Sequence, residues 1–218
     1  MSKTLTKELF GEILADVVSK LEKRQEELNR LDAAIGDGDH GTSIVKAMRA
    51  AAEAIQEEGS FKDTLYNAGF AAESQDCGST SSLTGSFYEG MSEAVTSEEM
   101  DTDGVIRMFS AALACVEKST KAQVGDKTLM DALIPAVNQM KSMIDCNASL
   151  AEVFGAAADA AQFGAESTVD YVAKFGRSKN LGERTKGHID PGAVSMAIVF
   201  RAFAEKFKSD EESQEKNS

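Results

Sequence analysis

Leu5, Leu9, Phe10, Ile13, Leu14, Val17, Val18 and Leu21 recur at three- and four-residue steps, the period that keeps one face of a helix buried. The chain therefore opens on a long amphipathic helix. After a break between Gly36 and Gly41, the pattern resumes with Ile44, Val45, Met48, Ala52 and Ile55, and Gly59 is placed as a C-terminal stop. The same spacing predicts helices around 61–72, 83–95, 105–116, 133–144 and 150–172. The last helix is the best marked. Asp190 can cap it, Pro191 suits its first position, and Met196, Val199, Phe200 and Phe203 supply its apolar stripe. No run of β-branched residues alternates with period two, so the reading is all-α, about eight helices with little or no sheet. That excludes a Rossmann or P-loop domain, both of which need strands.

Residues 1–208 form one domain on this pattern, and 209–218, SDEESQEKNS, carry no apolar position. That acidic tail is expected to be disordered in solvent. The net charge of -13, from 36 acidic and 23 basic residues, repels nucleic acid and anionic membranes and points to a small molecule or a protein as partner. Cys77, Cys115 and Cys146 stand far apart without CxxC spacing, which gives neither a disulfide framework nor a standard zinc site and suits a reducing, cytoplasmic compartment. The N-terminal run mixes Lys and Glu with its apolar residues, unlike a signal peptide. No stretch reaches the ~18 to 20 apolar residues that span a bilayer.

Four segments carry chemistry. In LDAAIGDGDHG, Asp32, Asp37, Asp39 and His40 crowd around Gly36, Gly38 and Gly41, an arrangement that is electrostatically costly unless a cation offsets it. Mg²⁺ prefers oxygen ligands and bridges carboxylates to phosphates, so metal and nucleotide fit here together. The competing description is a solvated acidic turn. An EF-hand fails because Met48 stands at the twelfth position from Asp37, and a P-loop fails because Thr42 stands where its lysine belongs. The second segment, Cys77 to Gly85, puts Gly78, Ser79, Thr80 and Ser81 ahead of a helix beginning near Leu83, a place where free N–H groups and hydroxyls receive anions. The third, Gly125 to Asp131, places small polar residues before another helix, as simple capping also would. The fourth, Gly176 to Ala193, holds four basic residues and four glycines in an acidic protein, the composition of a flexible basic lid over phosphates.

In this order, LDAAIGDGDHG, CGSTSSLTG, GDKTLMDALIP and GRSKNLGERTKGHIDPGA resemble the motifs of the dihydroxyacetone kinase L subunits (DhaL), over residues 5–207. The resemblance implies a barrel of about eight antiparallel up-and-down helices with a nucleotide, ADP or ATP, at one rim. It implies that Asp32, Asp37 and Asp39 coordinate two Mg²⁺ ions and that His40, Thr42 and Ser43 lie by the phosphates. Gly78, Ser79, Thr80 and Ser81 match the phosphate loop, Gly125 and Met130 the adenine side, and Arg177, Asp190 and Pro191 the C-terminal nucleotide contacts.

Family members transfer phosphoryl to dihydroxyacetone held on a histidine of a separate K-type subunit, a histidine this chain lacks. A chain carrying the L motifs alone points to the branch in which bound ADP is rephosphorylated by a phosphohistidine protein of the phosphotransferase system. In the other branch, ATP exchanges at each turnover. Two departures bear on partner and acceptor: Ser43 takes the usual Asn place, and GSTSSLTG replaces the usual GASGxLYG. Another small ketose, a carrier-held fatty acid, or a nucleotide-sensing regulatory role stand as alternatives.

Overall fold

The computed structural model describes residues 4–215, with side chains to 213. It contains nine α-helices among these residues: α1 Lys7–Lys23, α2 Gln25–Ala33, α3 His40–Ile55, α4 Phe61–Glu73, α5 Ser79–Ala94, α6 Thr102–Ser119, α7 Met130–Lys141, α8 Leu150–Ser167 and α9 Pro191–Glu215. Two short strands, β1 Leu5–Thr6 and β2 Glu99–Met100, pair antiparallel.

Side-chain caps set several starts. Thr6 accepts from Leu9 N, Ser60 from Asp63 N and Asp101 from Gly104 N, and Ser149 with Glu152 forms a full capping box. Each satisfies an N–H that the first turn leaves without a partner.

Eight helices pack as a closed ring. α1 contacts α3, contacts continue pairwise from α3 through to α9, and α9 returns to α1, while α2 lies at one end against α3 and α9. The connections reverse each ring helix on its predecessor. At one end, Lys7 Nζ donates to the carbonyls of Glu57 and Gly59, Leu5 pairs with Met100, and Asp145 N donates to Asp103. At the other end stand the turns 34–39, 74–78, 120–129 and 168–190. All four chemical segments therefore share one rim.

The ring is filled by aromatic residues near the end away from that rim. Phe154 stacks on Phe203 at 4.8 Å and on Phe207 at 5.2 Å, and Phe109 meets Phe154 and Phe203 edge-on. Tyr88 is fully enclosed, its hydroxyl donating to Met48 Sδ at 3.4 Å, and burial pushes its pKa well up. Rings of this size dominate core energetics. Gly69 on α4 and Gly85 on α5 let those helices touch: a Cβ at either would lie 2.9 Å from the other's carbonyl oxygen.

Several boundaries differ from the sequence expectation, among them the end of α8 at Ser167 rather than near 172. The opening helix breaks at Arg24 (φ -108, ψ 7) into α1 and α2. α5 starts at Ser79, four residues before Leu83, because its first turn is built from small polar residues. α7 lies at Met130–Lys141 rather than 133–144. α9 runs on to Glu215, past the boundary at 208. Phe207 is its last buried residue among the described side chains, so packing there ends where the apolar pattern does, but the helix propagates further because each added residue adds a hydrogen bond and Lys206 pairs with Asp210. The helix covers 209–215 of the expected acidic tail, and residues 216–218 lie outside the described part.

Candidate functional site

The α2–α3 connection is wound around one carboxylate. Asp32, in the last turn of α2, accepts from Gly38 N at 2.8 Å, Asp39 N at 3.0 Å and His40 N at 3.3 Å, all through Oδ2. Gly38 takes φ 82, a conformation glycine adopts without strain. The turn brings Asp37 and Asp39 back on Asp32, so that one carboxylate oxygen of each lies within 4.8 Å of the others. Asp32 Oδ1 faces Gly36, where a Cβ would collide with it. Oδ1 and two exposed carboxylates thus form an all-oxygen donor set of the kind Mg²⁺ takes. Arg177 reaches from the α8–α9 connection to form an ion pair with Asp37.

His40 opens α3. Its Nε2 lies 3.0 Å from Ser195 Oγ in α9, and burial of the ring lowers its pKa to about 4 against the opposing pull of Asp32 and Asp39. At neutral pH it is the uncharged imidazole. Ser43 follows in the first turn of α3 and is buried. Thr42 is engaged on another side: its hydroxyl accepts from Asn29 at 3.1 Å and Gln25 at 3.3 Å, and its N–H donates to Asn29. The structure therefore turns Thr42 toward α2 rather than toward the carboxylates.

At the start of α5, Gly78 has φ 58 and ψ -136, with nothing within 4 Å of where its Cβ would be. Backbone can be approached closely there. Ser79 and Thr80 lie in the first helical turn, whose N–H groups have no intrahelical acceptor. Ser81 is committed elsewhere, since its hydroxyl accepts from Cys77 N at 2.9 Å and donates to Gly78 O at 3.1 Å; only its backbone N–H is offered to a ligand. Lys46 Nζ donates to Gln75 O, tying α3 to this turn.

The α6–α7 connection is organised by Asp131, wholly buried, which accepts from Gly125 N at 2.5 Å and Thr128 N at 2.7 Å. Burial raises its pKa. Gly125 has φ 95 and an open face, and Met130, the first residue of α7, is buried. Asp190 caps α9, accepting from Ala193 N at 2.8 Å, and burial raises its pKa to about 7, reinforced by Asp131 and opposed by Lys127. Pro191 follows as the first residue of α9, buried.

The basic segment is folded rather than loose. Residues 178–185 form a 3-10 helical stretch kinked at Gly182, Thr185 Oγ1 accepts from Ala173 N, and Gly187 N donates to Val169 O. Lys127 and Asp131 fall within the third segment but were given no role there, and Thr168 and Ser195 lie outside all four segments. Lys127 bonds carbonyls 41 and 61 residues away, and no local pattern reports such contacts.

Fold and site define a closed helical barrel that gathers three clustered carboxylates, helix N-termini and an exposed arginine at one rim. The chain belongs to the DAK2 domain family, which matches residues 34–205. It is 34% identical over 204 residues to the ADP-binding subunit DhaL of PEP-dependent dihydroxyacetone kinase 2 from Listeria innocua, covering 91% of this chain and 94% of that one. It is 33% identical to the D-erythrulose kinase of Mycolicibacterium smegmatis, covering 90% of this chain but 33% of that enzyme. Among solved structures it resembles the dihydroxyacetone kinase of C. freundii in complex with AMP-PNP and Mg²⁺, with TM-score 0.66 and 26% identity, over 94% of this chain and 35% of that one. The chain thus spans about a third of those two larger kinases.

Proposed function

We propose that this chain is the nucleotide-binding subunit of a dihydroxyacetone kinase, active only with a K-type subunit that holds the sugar. The observation that carries the reading is the triad Asp32, Asp37 and Asp39 at a barrel rim, with Arg177 laid across it. Two Mg²⁺ ions held by these carboxylates would neutralise charge on the transferred phosphoryl group and hold it in line.

The chain's own groups do the rest. N–H groups of Ser79, Thr80 and Ser81 hold phosphate oxygens, with Gly78 allowing close approach. Neutral His40, steadied by Ser195, borders the phosphates without adding charge. Gly125 and Met130 border the adenine side. Arg177, Asp190 and Pro191 close the remaining side, Arg177 excluding water over the phosphates. Ser43 lies behind His40 in the same turn, while Thr42 supports it through Asn29.

The Listeria relative, matched along nearly its whole length, favours bound ADP rephosphorylated by a phosphohistidine protein over exchange of ATP. The erythrulose kinase relative keeps a four-carbon ketose as the alternative acceptor. Free cysteines and the strong negative charge favour the cytoplasm, with neither nucleic acid nor membrane as partner. Among the described residues no helix is long and apolar enough to cross a membrane.

The test is calorimetric titration with ADP in Mg²⁺ and in excess EDTA, followed by phosphorylation assays with and without a K-type subunit on dihydroxyacetone and erythrulose. Metal-dependent ADP binding, and turnover only when both subunits are present, are the expected results. Equal ADP binding in EDTA, or turnover by the single chain, would reject the reading.

A further inference from the structure

The segment between α8 and α9 leaves and returns at nearly the same place. Gly187 N donates to Val169 O at 2.8 Å, and Asp190 N donates to Thr168 Oγ1 at 2.9 Å. Lys127 closes the same junction from a third element: its ammonium donates to Thr168 O on the outgoing strand of chain and to His188 O on the returning one. Beyond the junction, Lys174 is held by Asp126, through Nζ at 2.6 Å and through its backbone N–H at 3.1 Å. The part bearing Arg177 projects from these anchors to Asp37.

Three features set Lys127 apart from an ordinary lysine. It is 2% exposed, although lysine is almost never fully buried unless paired. It stands at φ 60, where glycine would be free of strain, so the side chain and not the turn explains a lysine there. Its bonds go to backbone carbonyls rather than to a carboxylate. Two carbonyls from opposite ends of one loop can be held by a single ammonium because it offers three donors.

We infer that Lys127 is a positioning residue, a staple that fixes both ends of the 168–188 loop so that Arg177 is held over the metal-binding carboxylates and nucleotide release requires movement of the loop's tip alone. This rests on the nucleotide-site reading above, but the staple itself can be tested without nucleotide. Removing the donated bonds should free the whole loop to hinge at its base while leaving the carboxylate triad in place.

The experiment compares wild type, Lys127→Met and Lys127→Arg. Trypsin cleavage at Arg177, Lys179, Arg184 and Lys186, without nucleotide, should be about tenfold faster in Lys127→Met, because cleavage follows the population of the opened loop. Stopped-flow release of a fluorescent ADP in Mg²⁺ should quicken by a similar factor with little change in association rate. Lys127→Arg, which keeps a cation with several donors, should restore both readouts to within about threefold of wild type. Wild-type cleavage and release rates in Lys127→Met would overturn the inference, and so would failure of Lys127→Arg to restore either, since bulk rather than donated bonds would then be at work. A wild type that binds no ADP would defeat the nucleotide reading instead, leaving the cleavage result to judge the staple. If the variants do not fold, hydrogen exchange of wild type decides. The Gly187 and Asp190 amides should exchange as slowly as those of α9, and residues 178–184 quickly; equal exchange along the whole loop overturns the staple.

Discussion

Neutralising one carboxylate of the rim should separate binding from stability. With oxygens within 4.8 Å of one another, each pair of charged carboxylates repels by about 1 kcal/mol in a water-like dielectric. Asp39→Asn relieves two such pairs but gives up a favourable charge at the start of α3, worth ~0.3 to 1 kcal/mol. Asp37→Asn relieves two pairs and gives up the ion pair with Arg177, worth about 0 to 1 kcal/mol at an exposed position. The apo proteins should therefore melt about 2 to 8 °C above wild type, since the net gain is about 1 to 2 kcal/mol and 1 kcal/mol moves a chain of this size by ~2 to 4 °C. Binding behaves differently, because loss of a metal bridge costs several kcal/mol of charge stabilisation. About 3 kcal/mol corresponds to roughly two orders of magnitude in Kd. Titration calorimetry with ADP and Mg²⁺, beside thermal melts without either, reads both quantities. Normal ADP affinity in both variants would show that the triad holds no metal, and a melting temperature lowered by 10 °C would show that the repulsion argument is wrong.

Asp32→Ala should behave unlike its neighbours: three N–H groups lose their acceptor, so a loss on the order of 2 to 3 kcal/mol should appear in urea unfolding of the apo protein, and unchanged stability would refute it. Gly164→Ala drives a Cβ into Asp131 O and should cost about 1 to 3 kcal/mol as overpacking, measured by the same unfolding curves. Arg177→Ala should release ADP faster in stopped flow with a melting temperature within about 2 °C of wild type, because Arg177 is 71% exposed and contributes little to the core. For Asp190, burial raises the folded pKa to about 7, above the ~3.9 of an unfolded chain, so its proton stabilises the fold fully below about pH 4, and that contribution is lost as pH rises through 7. Asp190→Asn stays neutral and keeps an acceptor for Ala193 N, so apo wild type should lose a few kcal/mol relative to this variant between pH 5 and pH 8, and parallel curves in urea unfolding would refute the shift.

What the sequence disclosed follows from how local the cause is. α9 begins at Pro191 as expected because Asp190 and Pro191 act within one turn. The barrel's eight ring helices were visible as apolar stripes, since each stripe is the face its helix buries. The break at Arg24 was not visible, because Lys23, Arg24 and Gln25 are all good helix formers and the bend answers to packing of α2 against α3 and α9. Ser79 to Ser82 read as a loop because serine competes for backbone bonds, yet Gly78 starts the helix there. The aspartates were legible as a cluster, while Arg177 over Asp37 and Lys127 under Thr168 and His188 are contacts between motifs, which spacing within a motif does not encode.

The distribution of turns and buried charge ties these observations together. Residues in the left-handed region crowd the functional rim: Gly38, Asp76, Gly78, Gly125, Lys127, Gly176, Gly182 and Gly187, against Gly59, Asp145 and Asn147 at the opposite end. The buried ionisable groups Lys127, Asp131 and Asp190 lie at the same rim, and the stacked aromatic rings lie away from it. Buried charge costs free energy, and a fold retains it only where other packing over-determines the structure. The aromatic half of the barrel supplies that surplus, holding α5, α6, α8 and α9 in register beneath their rim-side turns. A metal and a phosphate chain need such turns: oxygen ligands and N–H groups aimed at open space rather than satisfied within the protein. The separation of the two ends is therefore what lets one small barrel be stable and still present an unsatisfied, highly charged surface to its ligand.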